Sequence, residues 1–361
     1  MKSKDPLSAD SLHRLIEEFS LRDSTEQWRK LPVWPVNSTC RRGLLRLRDI
    51  DLTNDVTSLR MTTVERNSAT RIASRPKQID PLLKKALTSA IDHLTAAHVG
   101  SPRMNAEVLL MFVLGCDRAY LYAHPERELT PEESRRYEEA LAHRVKGMPS
   151  QYITGHQEFW GMDFIVSPAV LIPRPETEHV IEAVLPLAKL LSAPRIVDVG
   201  TGSGCIALAL AKELPAAEIH ATDISEAALE IARANAVRHQ LASRVHFRQA
   251  DLLEGLEPAA FDFVVSNPPY VGESEEDEVQ LEVRKFEPRN AVFAGPTGLE
   301  VIERLAPQAE SVLKPGGWLI MEISGTIAEG VRRLVTAWDQ FQINNDLQRI
   351  PRVAMARKPT I

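Results

Sequence analysis

The chain has 361 residues, of which 44% are apolar and 25% are charged, which is enough for more than one domain with a sizeable core. Its net charge of −6 is uneven, since residues 1–75 carry 14 Lys and Arg against 10 Asp and Glu, and the remainder carries 29 against 39. A net-acidic remainder argues against broad non-specific binding to nucleic acid. Cys40, Cys116 and Cys205 are too few and too scattered for a disulfide framework or a zinc site.

Residues 1–75 contain no functional motif and little periodicity, so we expect a mostly disordered extension or a small appendage. Met61 is a second candidate start, which would make residues 1–60 a gene-model extension. The first 20 residues are too polar for a signal peptide, and no apolar run approaches the length of a membrane span. A reducing cytoplasm is the predicted compartment.

Residues 76–147 are predicted to form a small all-helical domain. Apolar residues recur with helical period in its first part, and a second helix is expected at about 103–114. A third helix begins at Thr130, which suits the N-cap, while Pro131 suits the first helical position and Glu133 completes a capping box. Because no catalytic-looking cluster is present, we interpret this domain as a recognition module.

A linker at 148–176 follows. Aromatic residues surround a glycine turn at 157–164, which indicates a β-hairpin. Two prolines in 171–178 force an extended path into a helix predicted at about 176–191.

From residue 195 onward apolar strands alternate with helices, which predicts an α/β fold with a doubly wound parallel sheet. Ser225 is the expected N-cap of the helix after the second strand, and 314–317 reads as a turn before the fifth. The predicted strands are 195–199, 218–223, 245–249, 261–266 and 317–323, with 341–345 and 351–357 as a last antiparallel pair.

The first strand runs into a glycine-rich turn formed by Gly200, Thr201, Gly202, Ser203 and Gly204. Glycines there permit positive φ and close approach of the backbone to a ligand, and a buried helix is predicted at 205–212. Asp223 lies 21 residues after Gly202 and ends the second strand, a distance that suits bonds to ribose hydroxyls. Taken alone, the glycine turn is a weak signal and is equally consistent with binding of NAD. Asp198 is open to two compatible roles, capping the turn and contacting a cofactor.

The fourth strand ends at Asn267, Pro268, Pro269 and Tyr270. Because proline lacks the amide donor, the chain must break into a rigid loop at the carboxyl end of the strand, where ligands bind in open α/β sheets. The Asn267 side-chain oxygen and the Pro268 carbonyl can accept both protons of a planar NH₂ group while the Tyr270 ring holds its plane. The loop therefore predicts a site for an amide or exocyclic amine that acts as a nucleophile.

Together these motifs resemble the bacterial glutamine methyltransferases that modify peptide chain release factors. The resemblance covers roughly residues 80–357 and is most specific at 170–178. It implies a Rossmann-like, seven-stranded class I methyltransferase sheet at 177–361, with the last strand pair antiparallel, and a small all-α N-terminal domain that docks the release factor. The other matching stretches are 153–155, 158–160, 198–204, 266–270 and 286–288.

The resemblance implies methyl transfer from S-adenosylmethionine to the side-chain amide nitrogen (N5) of the glutamine in the Gly-Gly-Gln motif of class 1 release factors. It assigns the glycine turn to the methionine part of the cofactor, Asp223 to the ribose, and Asp251 and Leu252 to the flanks of the adenine. Leu252 keeps apolar contact but loses the stacking that an aromatic provides in some relatives. Asn267 is expected to contact both cofactor and substrate. Pro268 and Tyr270 complete the catalytic residues, and Pro269 adds to the substrate site.

Three rival functions stay open. The first is an adenine-N6 methyltransferase of DNA or RNA, which shares the Asn-Pro-Pro-Tyr loop but needs a basic groove and a base-flipping pocket. The second is a glutamine methyltransferase of a ribosomal protein, and the third is a non-catalytic cofactor-binding or translation-factor adaptor. No metal, membrane or direct nucleic-acid partner is expected.

The sequence leaves the roles of two charged features open. Arg174 can pair with Glu176, pair with Glu178 or reach the substrate. The acidic segment 273–282 is either a solvated loop or a lid that contacts a basic surface of the release factor.

Overall fold

The computed structural model describes residues 81–360, and the expectation for residues 1–75 lies outside that range. Residues 81–146 and 147–360 fall in two separate compact units. Within the described residues, no helix is both long and apolar enough to cross a membrane.

The first unit is helical throughout. Its elements are α1 (Leu83–Ala96), α2 (Pro102–Leu114), α3 (Arg118–Ala123) and α4 (Pro131–Val145). The predicted capping box of α4 is confirmed, because the Thr130 hydroxyl accepts the Glu133 N–H at 3.2 Å and the Glu133 carboxylate accepts the Thr130 N–H at 2.8 Å. Helix α3, which Asp117 caps, was not predicted, since its six residues are too few for a helical period to stand out.

The second unit opens with α5 (Ser150–Thr154) and an antiparallel hairpin of β1 (His156–Phe159) and β2 (Met162–Ile165), which confirms the predicted hairpin. A 3-10 turn, Pro175–Thr177, then leads into α6 (Glu178–Ala188). The helix predicted at 176–191 therefore starts later than expected, because its first turn has the tighter 3-10 winding.

Except for several short elements between residues 271 and 295 that were not predicted, the remaining elements follow the predicted alternation of strands and helices. They are β3 (Arg195–Val199), α7 (Cys205–Glu213), β4 (Glu218–Asp223), α8 (Glu226–Arg238), β5 (Val245–Gln249), β6 (Phe261–Ser266), β7 (Val271–Gly272), a 3-10 segment (Glu273–Glu278), α9 (Leu281–Phe286), α10 (Arg289–Val292), β8 (Phe293–Gly295), α11 (Glu300–Val312), β9 (Leu313–Glu322), α12 (Ala328–Leu334), β10 (Gln340–Asn345) and β11 (Pro351–Arg357).

Seven strands form one sheet in the order β10-β11-β9-β6-β3-β4-β5. Strands β5, β4, β3, β6 and β9 are parallel, and β11 runs antiparallel to both β9 and β10. The α/β fold, the seven strands and the antiparallel last pair are thus confirmed. Helices cover both faces, and β3 and β6 are buried on both sides, which explains why they read as continuous apolar runs.

The fifth strand of the sheet differs from its prediction. Strand β9 begins at Leu313 rather than at residue 317, and its register against β6 shifts between Phe261 and Phe263. The expected turn at 314–317 is therefore an irregularity inside the strand. Pro315 can sit there because a bulged residue needs no ladder N–H, and Gly316 supplies a φ of +76°.

Candidate active site

Four parallel neighbours bring the predicted site residues to one edge of the sheet. The glycine turn follows β3, Asp223 ends β4, Asp251 follows β5, and Asn267 follows β6. Val199, the last residue of β3, lies opposite Thr222 of β4 and Ser266 of β6. The carboxyl ends of these strands are therefore level, as expected where a ligand binds in such a sheet.

The glycine turn leaves open space on one side. Gly200 and Gly202 have φ values of +67° and +53°, and a Cβ placed on either would meet no heavy atom within 4 Å. Gly204, with φ of +82°, differs because its Cβ would lie 3.2 Å from Ala232 Cβ in α8. The first two glycines thus suit a ligand that approaches the backbone, and the third suits close helix packing.

Asp198 caps this turn from inside the core. Its side chain is fully buried, and Oδ2 accepts the Thr201 hydroxyl at 2.6 Å and the Ala207 N–H at 3.2 Å. Oδ1 has no hydrogen-bond partner among residues 81–360. Burial raises the pKa of Asp198 to about 7, and the nearby Asp223 charge adds to the rise. The predicted capping role is confirmed.

Asp223 connects the turn to the next helix. One carboxylate oxygen accepts the Gly202 N–H at 2.9 Å, and the other accepts the N–H of Ser225 at 2.9 Å. Burial raises the pKa of Asp223, against backbone hydrogen bonds that favour its charged form. Ser225 caps α8 as predicted, since its hydroxyl accepts the Ala228 N–H.

The segment after β5 has a strained backbone. Leu252 has a φ of +55°, which is costly for a residue with a side chain, and the buried Thr222 hydroxyl holds it by donating to the Leu252 carbonyl at 2.8 Å. Asp251 beside it accepts a hydrogen bond from Arg304 at 2.5 Å. Sequence reasoning missed the part that Thr222 plays here.

The Asn267 loop is held at the point where it leaves β6. The Ser266 hydroxyl donates to the Val199 carbonyl at 2.8 Å, which ties the end of β6 to the start of the glycine turn. The Asn267 Nδ2 group donates to the Thr177 hydroxyl oxygen at 3.0 Å. The other end of this amide, Oδ1, bonds to none of the described residues and is accessible. Pro268 is buried, which keeps the bend formed by Asn267 and Pro268 (the corner) rigid.

A buried carboxylate, Glu322, lies at the end of β9 and was missed by the sequence reasoning. It accepts the Tyr270 hydroxyl at 2.9 Å and the Thr177 hydroxyl at 2.6 Å. Burial raises the pKa of Glu322, and the two hydroxyl donors and the Arg352 charge oppose that rise. Burial also raises the pKa of Tyr270. The available signal was a glutamate that directly follows the apolar run of β9.

Arg174 pairs with neither Glu176 nor Glu178, so these two predicted ion pairs are wrong, and its contact with the substrate stays a prediction. It forms an ion pair with Glu287, whose side chain is only 1% exposed and whose second oxygen accepts the Ile172 N–H at 3.1 Å. The proline-containing linker is therefore fastened to the stretch 286–288, so two of the matching sequence motifs contact each other.

The acidic segment 273–282 lies within residues 271–295, which connect the Asn267 loop to the region before α11. Strands β7 and β8 pair in parallel at its base. Glu276 forms a bidentate ion pair with Arg289 at 2.7 and 2.8 Å, and Asp277 pairs with Arg284 at 2.9 Å. Part of the negative charge is thus neutralised locally, and the choice between solvated loop and lid stays open.

The glycine turn, Asp223 and the Asn267 loop can together bind an extended ligand along the sheet edge and present one accessible acceptor, Asn267 Oδ1, to an NH₂ group. Among the described residues, no group of three or more His, Cys, Asp or Glu side chains is arranged to hold a metal ion.

Comparison with known proteins gives matches on both units. A family described as PrmC N-terminal domain matches residues 85–155, and one described as Methyltransferase small domain matches residues 181–285. The release factor glutamine methyltransferase of Koribacter versatilis is 58% identical over 279 residues, which span 77% of this chain and 99% of that protein. The protein of the same name from Moorella thermoacetica is 45% identical over 71% of this chain and 90% of that protein.

Proposed function

The chain belongs to the release factor glutamine methyltransferases, and from that membership we propose how its residues carry the reaction. The enzyme uses S-adenosylmethionine to methylate the side-chain amide nitrogen of a glutamine. We propose that its protein partners are class 1 release factors, that the reacting glutamine belongs to their Gly-Gly-Gln motif, and that the encounter takes place in the cytoplasm, where these factors act. The helical residues 81–146 are proposed to dock the release factor.

The glycine turn and its neighbours suit the cofactor. Open space above Gly200 and Gly202 admits the methionine part against the backbone. Each Asp223 oxygen accepts one backbone N–H and keeps a further lone pair for a ribose hydroxyl. Asp251 and Leu252 are proposed to flank the adenine. The residues proposed for the methionine part are Gly200, Thr201, Gly202, Ser203 and Gly204.

The proposed chemistry is positioning of a poor nucleophile, because the amide lone pair is delocalised into its carbonyl. When bound, S-adenosylmethionine supplies an electrophilic methyl group on a positively charged sulfur. Asn267 Oδ1 and the Pro268 carbonyl are proposed to accept both N–H bonds of the substrate amide, while Tyr270 and Pro269 hold its plane. As the nitrogen becomes positive these two acceptors bind its protons more strongly, which favours the transition state. The proton then leaves to water.

The accessible Oδ1 of Asn267 carries this proposal, because it is an acceptor that residues 81–360 leave unused. The test is transfer of labelled methyl from S-adenosylmethionine to purified class 1 release factor, compared with the same factor carrying Gln→Ala in its Gly-Gly-Gln loop. Label on the wild-type factor alone is the expected result. Equal label on both factors contradicts the glutamine assignment, and label on a ribosomal protein or on DNA but not on the factor favours the corresponding rival.

A further inference from the structure

We propose that Thr177 and Glu322 are positioning residues that determine which end of the Asn267 side-chain amide faces the substrate. Their role rests on the proposed acceptor function of Asn267. Neither residue needs to touch the substrate, because they act through hydrogen-bond polarity.

Both residues lie deep in the structure beside the corner. Thr177 ends the 3-10 turn before α6 and is 1% exposed, and Glu322 ends β9 and is 2% exposed. Strand β9 pairs with β6 so that Met321 lies opposite Ser266, which puts the residues that follow at the same edge of the sheet. A chain of contacts results, in which Asn267 bonds to Thr177 and Thr177 bonds to Glu322.

The polarity of this chain of contacts follows from donor and acceptor counts. Both hydroxyls that contact Glu322 donate to it, as they must when Glu322 is ionised, because a carboxylate has no donor. Thr177 has a single O–H, and the bond to Glu322 at 2.6 Å uses it. Only lone pairs of the Thr177 oxygen remain for Asn267, so the amide must present its donor, Nδ2, at 3.0 Å. Oδ1 is thereby turned to the opposite side.

This orientation decides whether the corner can receive an amide. A substrate NH₂ group has two protons and needs acceptors, and an Asn267 side chain rotated by half a turn would oppose it with a second NH₂ group. Among residues 81–360, the bond to Thr177 is the contact that fixes the Asn267 side chain. The second oxygen of Glu322 accepts the Tyr270 hydroxyl, so one carboxylate orients two members of the loop.

Thr177→Val tests the relay, by which we mean the hydrogen-bonded chain from Asn267 through Thr177 to Glu322. Valine has nearly the same shape as threonine but no hydroxyl, and Thr177→Ser is the matched control. With release factor as substrate, we expect Thr177→Val to lower kcat roughly 10- to 100-fold, the scale typical of lost outer-shell support, and Thr177→Ser to restore most of it. The dissociation constant for S-adenosylmethionine, measured by calorimetry, should change less than about twofold if only polarity is lost. Unchanged kcat in Thr177→Val overturns the proposal.

A double variant separates positioning from general damage. In an Asn267→Ala background, Thr177→Val should lower kcat no further, because the side chain that it orients is gone. An equal loss in both backgrounds contradicts the relay. Glu322→Leu provides a second route should the valine variant fold poorly, since leucine accepts no hydrogen bond and therefore leaves the Thr177 hydroxyl free to reverse. Its kcat should fall as well, and wild-type kcat in this variant overturns the proposal.

The relay can also be tested on the enzyme alone, without release factor, so that its failure can be told apart from failure of the proposed function. The side-chain amide signals of Asn267 in an ¹⁵N NMR spectrum can be identified by their loss in Asn267→Ala. They should shift and exchange faster with solvent in Thr177→Val and stay in place in Thr177→Ser. If wild-type enzyme leaves the release factor unmethylated, the proposed function fails while this spectrum still decides the relay. Signals that Thr177→Val leaves unchanged refute it.

Discussion

Replacement of Asp198 by asparagine is predicted to remove a large pH dependence of stability. In the folded chain burial raises the pKa of this carboxyl from 3.8 to about 7, and Oδ1, which has no partner among the described residues, can hold the proton. Between these two pH values the folded chain keeps a proton that the unfolded chain has lost. The free energy of unfolding therefore falls as pH rises, by about 1.4 kcal/mol per unit.

The whole interval of about three pH units corresponds to roughly 4 kcal/mol, fully present below pH 3.8 and lost once pH passes about 7. In Asp198→Asn the new side chain stays neutral throughout, and its oxygen can still accept from Thr201 and Ala207. The assay is urea unfolding of both proteins between pH 5 and pH 8 without cofactor. The difference between the two curves cancels the other titrating groups, and it should change in favour of the Asp198→Asn variant as pH rises to about 7 and level off above that. Parallel curves would refute the buried-acid reasoning.

Three further predictions concern the site and its supports. Asn267→Ala should lower kcat by roughly 100-fold or more while cofactor binding persists, and near-normal turnover in the methyl-transfer assay would contradict its role. Gly200→Ala should weaken cofactor binding by about tenfold or more in calorimetry. Gly204→Ala, whose new Cβ is crowded by Ala232, should instead show the larger loss of thermal stability. A larger loss of thermal stability in Gly200→Ala and a larger loss of cofactor binding in Gly204→Ala would contradict the assignment of open space. Glu287→Ala leaves an arginine and a backbone N–H without their acceptor, so it should cost about 1–3 kcal/mol in denaturant unfolding, and an unchanged midpoint would show that the linker is held elsewhere.

Local patterns in the sequence predicted most of the fold. Strands β3 to β6 have the predicted ends because each is a short apolar run bounded by polar or glycine residues. The capping box of α4 joins residues three positions apart, so it can be read without any tertiary structure. Strand β9 was misjudged at its start, since a proline and a glycine read as a turn unless the pairing with β6 is known.

The supports of the site could not be predicted in the same way. Asn267 meets Thr177 across 90 residues of sequence, and Thr177 meets Glu322 across 145. Arg174 had acidic neighbours within four positions, yet it pairs with Glu287, 113 residues away, because the packed sheet buries that carboxylate beside it. The motifs proposed to contact ligands could be recognised from their residue types, but the partners that orient them depend on which strand ends the fold brings together.

Residues 271–295, which lie between the Asn267 loop and α11, are attached to the rest of their unit at two points. Pairing of β7 with β8 fastens their base, and Glu287 fastens their middle to the proline-containing linker. The exposed stretch Glu273–Glu278 lies between these two fastenings. Changes of length or charge in that stretch are therefore expected to leave the Asn267 loop in place, because both fastenings lie outside the stretch.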